Sequence, residues 1–333
     1  MEKKDIKVSI ILPIHNAGDK LNKCLETLKE QTLKELEIIC ILDCPTDGSD
    51  AIVREYASKD DRFVIIENEK NLHIGESRNK GLSIAKGEYI GFSDHDDYRE
   101  LNMYEMLYTE AKSHDCDICM SNQCADKNGK LQIFPFCDSP KSEDIFKALI
   151  TNKPMSEGNK SLGNIRSVWN HIFRRSFIEK YGIKFPDTKK VSHEDTLFLT
   201  RFFARRPTLF YMDKNLYYWR LYEESTINNI TYGNIENNVR YIEEVKILLD
   251  EIGRSDELFY CLVQCTIRKL YSAIIFQKKH AKNDIKLYLQ KIAETHPIFN
   301  NILEKTDNNK RLLLYLPPTK ILMYFYYLHG INK

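Results

Sequence analysis

Residues 93–97 (SDHDD) bring three carboxylates together directly after a short apolar run. Carboxylates this close repel one another, and a nearby cation offsets the repulsion. A hard divalent ion such as Mg²⁺ or Mn²⁺ binds one or two carboxylates together with phosphate oxygens of a ligand. The segment is therefore either a metal-binding turn or a solvated acidic turn, and its own residues do not decide between the two.

Polar side chains at three other places could take part in the same chemistry. Asp43 follows an apolar run, where its carboxylate can accept a hydrogen bond from a ligand ring N–H or simply cap a turn. Arg78 lies near the start of a predicted helix, whose N-terminus favours anions, although a surface arginine is the simpler interpretation. Glu194 and Asp195 open another predicted helix. There they complement the helix dipole or supply the base that transfer to a hydroxyl requires.

The elements that must position these residues alternate between strand and helix over the first 120 residues. Apolar runs predict buried strands at 8–12, 36–42, 63–67, 89–92 and 117–120. Amphipathic spacing predicts helices at 19–31, 51–57, 77–85 and 103–112. This order predicts a mainly parallel sheet with helices on both faces, in which ligands bind beyond the carboxyl ends of the strands. The polar segments 13–16, 43–47, 68–75 and 93–97 all lie at such ends.

The rest of the chain shows a weaker pattern. Residues 125–225 are mixed, with one clear helix at 194–204, and residues 234–295 are helical. A turn-rich seam at Asn228, Asn229 and Gly233 places a boundary near residue 230. We therefore expect a domain at 1–230, with halves at 1–120 and 121–230, followed by a helical region at 231–333.

Composition excludes some functions and suggests a compartment. The 49 basic residues nearly equal the 48 acidic ones, so the balance argues against a general nucleic-acid-binding protein. The nine cysteines show no second pair at zinc-like spacing, and the charged opening MEKKDIK is not a signal peptide. Both features favour reduced thiols and a cytoplasmic location. The aromatic-rich segment 312–328 predicts either contact with a membrane interface or a docked terminal helix.

The order of these segments resembles glycosyltransferase family 2, the inverting transferases of the GT-A fold. VSIILPIHNAGDKLNKCLETLKEQT is similar to the family's first strand, P-x-Y-N loop and helix ending in Q-T, with His15 in place of the tyrosine. EIICILDCPTDGS is similar to E-I-I-x-V-D-D-G-S-T-D-G-S, with Leu42 in place of the first aspartate and Cys44 and Pro45 in place of Gly-Ser. NLHIGESRNKGLSIAKGEYIGFSDHDD is similar to N-x-G-x-x-x-A-R-N-x-G followed by F-x-D-x-D-D. HEDTLF resembles the acidic E-D element, and YYWRLYEEST resembles a Y-x-x-R segment that ends in serine.

This resemblance, which covers residues 7–226, implies a GT-A sheet with a helical C-terminal extension and a role for each matching residue. It implies inverting transfer of a hexosyl or N-acetylhexosaminyl group from a nucleotide diphosphate, with a UDP-sugar as the expected donor. Manganese or magnesium would bind at the D-x-D element through Asp96 and Asp97, and which carboxylate of that element is the main ligand stays open. Asp195 would be the base, with Glu194 as the alternative, while Arg220 and Ser225 would contact the diphosphate. The implied nucleotide-binding residues are Pro13, His15, Asn16, Asp43, Arg78, Asp94 and His95.

The resemblance also implies partners and a location. The acceptor would be a glycan or a lipid-linked glycan in surface polysaccharide synthesis, at the inner face of a membrane that segment 312–328 would contact. The departures at His15, Leu42 and Cys44 leave room for an alternative, a non-catalytic nucleotide-sugar-binding or scaffolding protein on the same fold. A nucleotidyltransferase or a dinucleotide dehydrogenase is disfavoured, because no glycine-rich loop follows the first predicted strand.

Overall fold

The computed structural model describes residues 5–133, 140–151, 156–157, 160–161, 165–222, 235–258, 261–262 and 265. The chain forms two compact units. The first lies within residues 1–149, 153–188 and 194–225, and the second lies within residues 150–152, 189–193 and 226–333.

The strands of the described residues are, in chain order, β1 (Val8–Ile14), β2 (Leu36–Leu42), β3 (Phe63–Glu67), β4 (Tyr89–Phe92), β5 (Tyr98–Arg99), β6 (Ile118–Lys127), β7 (Lys130–Ile133), β8 (Ser156–Glu157), β9 (Lys160–Ser161), β10 (His171–Arg174) and β11 (Leu209–Arg220). The helices are α1 (Lys20–Lys29), α2 (Ser49–Ala57), α3 (His73–Ile84), α4 (Met103–Ser113), α5 (Ser142–Thr151), α6 (Arg175–Tyr181), α7 (Glu194–Phe203) and α8 (Ile235–Glu251).

One large sheet organises the first unit. Its strand order is β3-β2-β1-β4-β10-β6-β11-β5, and β7 pairs with β6. The strands β3, β2, β1 and β4 are parallel to one another, as are β6 and β11, whereas β10 is antiparallel to both of its neighbours. The predicted GT-A type of fold, a mainly parallel sheet flanked by helices, is confirmed. Strand β10 joins the four parallel strands β1 to β4 to the part of the sheet that contains β6, β11 and β5.

The part of the sheet formed by β1, β2, β3 and β4 is held by apolar burial. Every residue of β1 and β2 is buried, which is why both strands consist mostly of apolar residues. The helix α1 presents a buried stripe that includes Leu21, Leu25 and Leu28. The helix α3 approaches β1 closely because Gly81 has no side chain. A Cβ atom at Gly81 would lie 2.5 Å from Cγ2 of Ile11.

Several element boundaries differ from the sequence predictions. The helix α3 begins at His73, four residues before the predicted start, and it lacks a local side-chain cap. The strand β6 continues to Lys127 instead of ending at Met120, because its polar residues Ser121, Asn122 and Gln123 are buried and hydrogen-bonded inside the fold. The pattern did not predict the short strand β5, which follows the acidic turn. It also gave no positions for the elements of the mixed region other than α7, which are β7, α5, β8, β9, β10, α6 and β11.

The described part of the second unit is built on α8. This helix buries Val239, Ile242, Val245 and Leu249 at helical spacing. Its Tyr241 ring lies edge-on to His193, with 6.1 Å between the ring centroids. Within the described part of the chain, every helix is too short or too polar to cross a bilayer. The aromatic segment 312–328 lies outside the described residues.

Candidate active site

The predicted site segments follow the carboxyl ends of adjacent parallel strands. Residues 15–16 follow β1, Asp43 follows β2, and residues 93–97 follow β4, with β1 lying between β2 and β4. Because these strands run in the same direction, the three segments lie at one edge of the sheet.

Asp43 binds the start of α3. Its Oδ1 accepts hydrogen bonds from Asn68 Nδ2 and from the backbone N–H of Leu72, both at 2.7 Å. Its Oδ2 accepts one from the backbone N–H of His73 at 2.9 Å. The side chain is buried, so the anion at this helix N-terminus is the chain's own carboxylate.

The loops after β1 and β2 are tied together by His15 and Asn16. Nδ1–H of His15 donates to the carbonyl oxygen of Asp43 at 2.7 Å, and Oδ1 of Asn16 accepts from the backbone N–H of Thr46 at 2.8 Å. Both residues are exposed. The strand β1 also provides the carbonyl oxygen of Pro13, which lies 3.3 Å from Nδ1 of His95 in the acidic turn. Hydrogen bonds thus link the three segments to one another at this edge of the sheet.

The three carboxylates of the acidic turn have different surroundings. The Asp97 side chain is buried; its Oδ2 accepts from the Tyr217 hydroxyl and its Oδ1 from the backbone N–H of Arg220, both at 2.9 Å. Burial, then the charges of Asp96 and Asp94, raise the pKa of Asp97 well above its usual range. Burial also raises the pKa of Asp96. Asp94 and Asp96 are partly exposed, so they are the two carboxylates of this turn that a ligand can reach.

Arg78 joins the acidic turn to the start of α7. Its side chain is 1% exposed; Nη2 lies 2.9 Å from Oδ1 of Asp94, and Nη1 lies 3.4 Å from Oε1 of Glu194 and also binds Oδ1 of Asp195. Burial by itself lowers the pKa of Arg78. The charges of Asp195, Asp94 and Glu194 outweigh that effect and hold the pKa above its usual value. The buried guanidinium therefore stays charged and binds carboxylates from two distant parts of the chain.

Asp195 is the more strongly held of the two acids that open α7. Its side chain is 20% exposed. Burial raises the pKa of Asp195 well above the usual aspartate value and Arg78 opposes the rise, while Glu194 and Asp94 add to it. A raised pKa brings a carboxylate closer to the range in which it works as a general base near neutral pH.

Arg220 contacts the acidic turn from β11. Its Nε–H donates to the carbonyl oxygen of Asp96, and its Nη2 donates to the carbonyl oxygen of Lys20 at 2.7 Å. The arginine thus connects the acidic turn to the start of α1. Ser225, the other predicted diphosphate contact, lies outside the described residues.

Comparison with known proteins decides the family. The family described as glycosyl transferase family 2 matches residues 9–182. Putative glycosyltransferase EpsH of Bacillus subtilis is 31% identical over 313 residues, which cover 90% of this chain and 86% of EpsH. The chain belongs to glycosyltransferase family 2. It is therefore a glycosyltransferase, and the predicted family and enzyme class are confirmed.

Two solved structures support the GT-A type of fold for this family 2 glycosyltransferase. S. aureus TarS 1-349 in complex with UDP-GlcNAc matches with a TM-score of 0.65 and 21% identity, covering 96% of this chain and 87% of TarS. The mannosyltransferase PcManGT from Pyrobaculum calidifontis, in complex with GDP-Man and Mn²⁺, matches with a TM-score of 0.51 and 13% identity, covering 99% and 89%.

The donor set of the glycosyltransferase's acidic turn suits a hard divalent ion. Among the residues that the structure describes, no three His, Cys, Asp or Glu side chains converge on one point. Magnesium and manganese need only one or two carboxylates when phosphate oxygens supply the other ligands, so this is compatible with a metal site. The balance of charge also suits a cation, because five carboxylates lie around two arginines here. The carboxylates are Asp94, Asp96, Asp97, Glu194 and Asp195, and the arginines are Arg78 and Arg220.

The structure also brings in residues to which the sequence patterns assigned no role. Tyr217 binds Asp97, and the Trp169 ring stacks on Tyr217 with 4.2 Å between the centroids. Phe185 lies under the Arg78 guanidinium at 5.2 Å. Tyr217 belongs to the YYWR motif, which was the available signal. Trp169 and Phe185 lie in the mixed region, where the sequence pattern gave no signal for either residue.

Proposed function

We propose that this glycosyltransferase transfers a hexosyl or N-acetylhexosaminyl group from a UDP-sugar to an acceptor hydroxyl, with inversion at the anomeric carbon. The meeting of Asp94 and Asp195 on the buried guanidinium of Arg78 carries the proposal. It brings the acidic turn of the nucleotide side and a carboxylate base from the acceptor side to one place. Residues 1–120 form the donor half in this proposal, residues 121–230 form the acceptor half, and residues 231–333 form a helical extension.

Asp195 acts as the general base. Its carboxylate takes the proton of the acceptor hydroxyl while that oxygen forms its bond to the anomeric carbon. The bond between the anomeric carbon and the diphosphate oxygen breaks on the opposite face, and the nucleoside diphosphate leaves with the electron pair. A single displacement of this kind inverts the configuration. Glu194, which lies farther from Arg78, is the alternative base.

The acidic turn holds the metal and the diphosphate. A divalent ion bound there supplies positive charge that stabilises the leaving group. Asp96 is the best placed ligand, because it is partly exposed and its pKa is raised, a cost that a cation relieves. Asp94 and Asp97 support it, the latter from its buried position against Tyr217. The Mn²⁺ in the structure of PcManGT, which has a related fold, supports a divalent ion in this proposal.

The nucleotide binds across the loops after β1 and β2. The exposed His15 and Asn16 line the base and ribose together with Pro13, and His95 closes the site beside the acidic turn. Asp43 keeps one oxygen, Oδ2, with a single described hydrogen bond, so it can accept another from a ring N–H of the base. Arg78 holds Asp94 in the acidic turn that binds the diphosphate, and Arg220 and Ser225 would contact the diphosphate in this proposal. The UDP-GlcNAc bound to TarS supports a uridine donor.

We place the reaction in the cytoplasm, at the inner face of a membrane. The acceptor in this proposal is a glycan or a lipid-linked glycan of surface polysaccharide synthesis. The aromatic residues of segment 312–328 would bring the enzyme to that surface as a peripheral protein.

Nucleotide release from a panel of UDP- and GDP-sugars tests the proposal, with manganese, with excess chelator, and with candidate acceptors. Release should require metal and should be lost in Asp195→Asn, while the Kd for UDP stays within about twofold, because the base does not touch the nucleotide. Asp60→Asn is a matched control, since Asp60 forms an ion pair with Arg62 near the amino end of β3, away from the carboxyl ends of the strands where the site lies. Full turnover in chelator would exclude the metal, and full turnover in Asp195→Asn would exclude the base.

A further inference from the structure

The Asn79 side chain holds a segment of backbone from the far end of the unit. Its Oδ1 accepts a hydrogen bond from the N–H of Phe185 at 2.8 Å, and its Nδ2 donates to the carbonyl oxygen of Phe185 at 3.0 Å. These are the two bonds that a paired strand would make, and they join residues 106 positions apart. The roles proposed above for nucleotide, metal and base do not use Asn79.

Phe185 is placed to transmit this restraint to the site. Its ring lies 5.2 Å from the Arg78 guanidinium. It also lies edge-on to Phe92, the residue directly before the acidic turn, with 5.2 Å between the ring centroids. It also stacks on Phe198 of α7, with the centroids 4.1 Å apart and the planes at 9°. Phe198 lies one helical turn after Asp195 and therefore on the same side of α7. One buried ring thus contacts the arginine, the strand of the acidic turn and the helix of the base.

A second contact from α3 restrains the same segment. The backbone N–H of Gly75 donates to Oγ1 of Thr188 at 2.9 Å, and a Cβ atom at Gly75 would lie 2.4 Å from the carbonyl oxygen of Pro186. The segment 185–188 therefore lies directly against α3, and only glycine allows that approach.

We propose that Asn79 is a positioning residue for the base Asp195 and acts through Phe185. This inference rests on the proposed function, because it takes Asp195 as the base. Asn79 fixes the backbone of Phe185, the Phe185 ring fixes the first turns of α7 and the underside of Arg78, and Arg78 then holds Asp195 beside Asp94. Loss of the Asn79 bonds moves Asp195 but leaves in place the loops after β1 and β2, which bind the nucleobase and ribose in the proposed function.

The substitution Asn79→Asp tests this link with almost no change in shape. It keeps the acceptor for the Phe185 N–H and sets a carboxylate oxygen against the Phe185 carbonyl oxygen. We expect kcat to fall by about tenfold to a hundredfold, because small displacements of a catalytic group are costly. The Kd for UDP should change by less than about twofold, since Asn79 contacts no nucleotide-binding loop. Asn79→Ala, which removes both bonds without adding charge, should give the same split.

Gln31→Glu is the matched control. Gln31 is a buried amide whose Nε2 donates to the carbonyl oxygens of Thr27 and Glu100 and whose Oε1 accepts from the N–H of Tyr104, away from the base. It should lower thermal stability while kcat per folded molecule stays within about twofold of the unsubstituted protein. An equal loss of kcat in Gln31→Glu and Asn79→Asp would overturn the inference, because both losses would then follow from general destabilisation.

Hydrogen exchange of the α7 amides supplies a readout that does not depend on transfer. Exchange in this helix should be faster in Asn79→Asp than in Gln31→Glu. Unchanged α7 exchange in Asn79→Asp, unchanged kcat in a folded variant, or a loss of UDP affinity as large as the loss of kcat would each overturn the inference. Faster α7 exchange in a protein that transfers sugar from no donor would instead refute the proposed function and leave the coupling between Asn79 and α7 intact.

Discussion

The substitution Asp43→Asn separates the structural role of this carboxylate from its proposed contact with the nucleobase. Asp43 accepts three hydrogen bonds at the start of α3, from Asn68, Leu72 and His73. Asparagine has the same shape but only one acceptor oxygen, so in either orientation an N–H₂ group faces at least one of these donors. The N–H of His73 keeps a second acceptor, Oδ1 of Asn71 at 3.0 Å, which limits the damage.

The expected cost is that of about one hydrogen bond to a charged acceptor, about 2 kcal/mol of unfolding free energy. For a unit of this size, that predicts a fall in Tm of about 4–8 °C. Thermal denaturation followed by circular dichroism measures it, with Asp61→Asn as the control. Asp61 is exposed, so its substitution should shift Tm by no more than about 2 °C.

Calorimetric titration with UDP completes the experiment. If Oδ2 also accepts a hydrogen bond from the nucleobase, Asp43→Asn should raise the Kd for UDP by about tenfold, since the lost bond is worth about 1.4 kcal/mol. A Tm equal to that of Asp61→Asn would refute the argument that Asp43 secures α3. An unchanged Kd in a protein with a lowered Tm would remove Asp43 from the nucleotide site and leave it as a cap.

Two further predictions concern pH. Asp195 must be ionised to act as a base, and its pKa is raised. We therefore expect kcat to fall with falling pH, with a midpoint above the ordinary aspartate pKa of about 4. Steady-state rates with saturating donor measure this, and a rate that stays level down to about pH 4.5 would contradict it. Burial lowers the pKa of His171 to about 3, so the unfolded chain binds a proton between about pH 6.5 and 3 that the folded chain does not, and stability falls as pH falls through this window. At pH 5 the free energy of unfolding, measured by urea denaturation, should be lower by about 2 kcal/mol. This loss should be absent in His171→Leu, and an equal decline in that variant would contradict the argument.

Much of the fold from β1 to α4 could be predicted because its signals are local. The strands β2, β3 and β4 have the predicted limits, since each is a short apolar run between polar turns. The start of α3 was placed too late, because its cap is Asp43, thirty residues before His73 in the sequence. The one local signal was Asn71, whose Oδ1 also accepts from the N–H of His73.

The candidate site could be predicted as a set of segments but not as a set of contacts. The acidic turn follows β4, and Glu194 and Asp195 open α7, as the sequence indicated. The burial of Arg78 and the role of Phe185 depend on pairings across about a hundred residues. In the sequence Arg78 looks like a residue on a helix surface. The roles of the individual site residues stay predictions until they are tested.

The position of β10 limits how this chain could exchange parts with a relative. This strand lies between β4 and β6, although it follows β6 in the chain. A fragment that ends at residue 120 would leave β4 with an open edge, which invites aggregation during synthesis. It would also uncover Phe92, which packs against Phe173, Phe185 and Phe198. A hybrid enzyme that replaces residues 1–120 must therefore take β10 and α7 from the same parent, so recombination would select for cuts after residue 203.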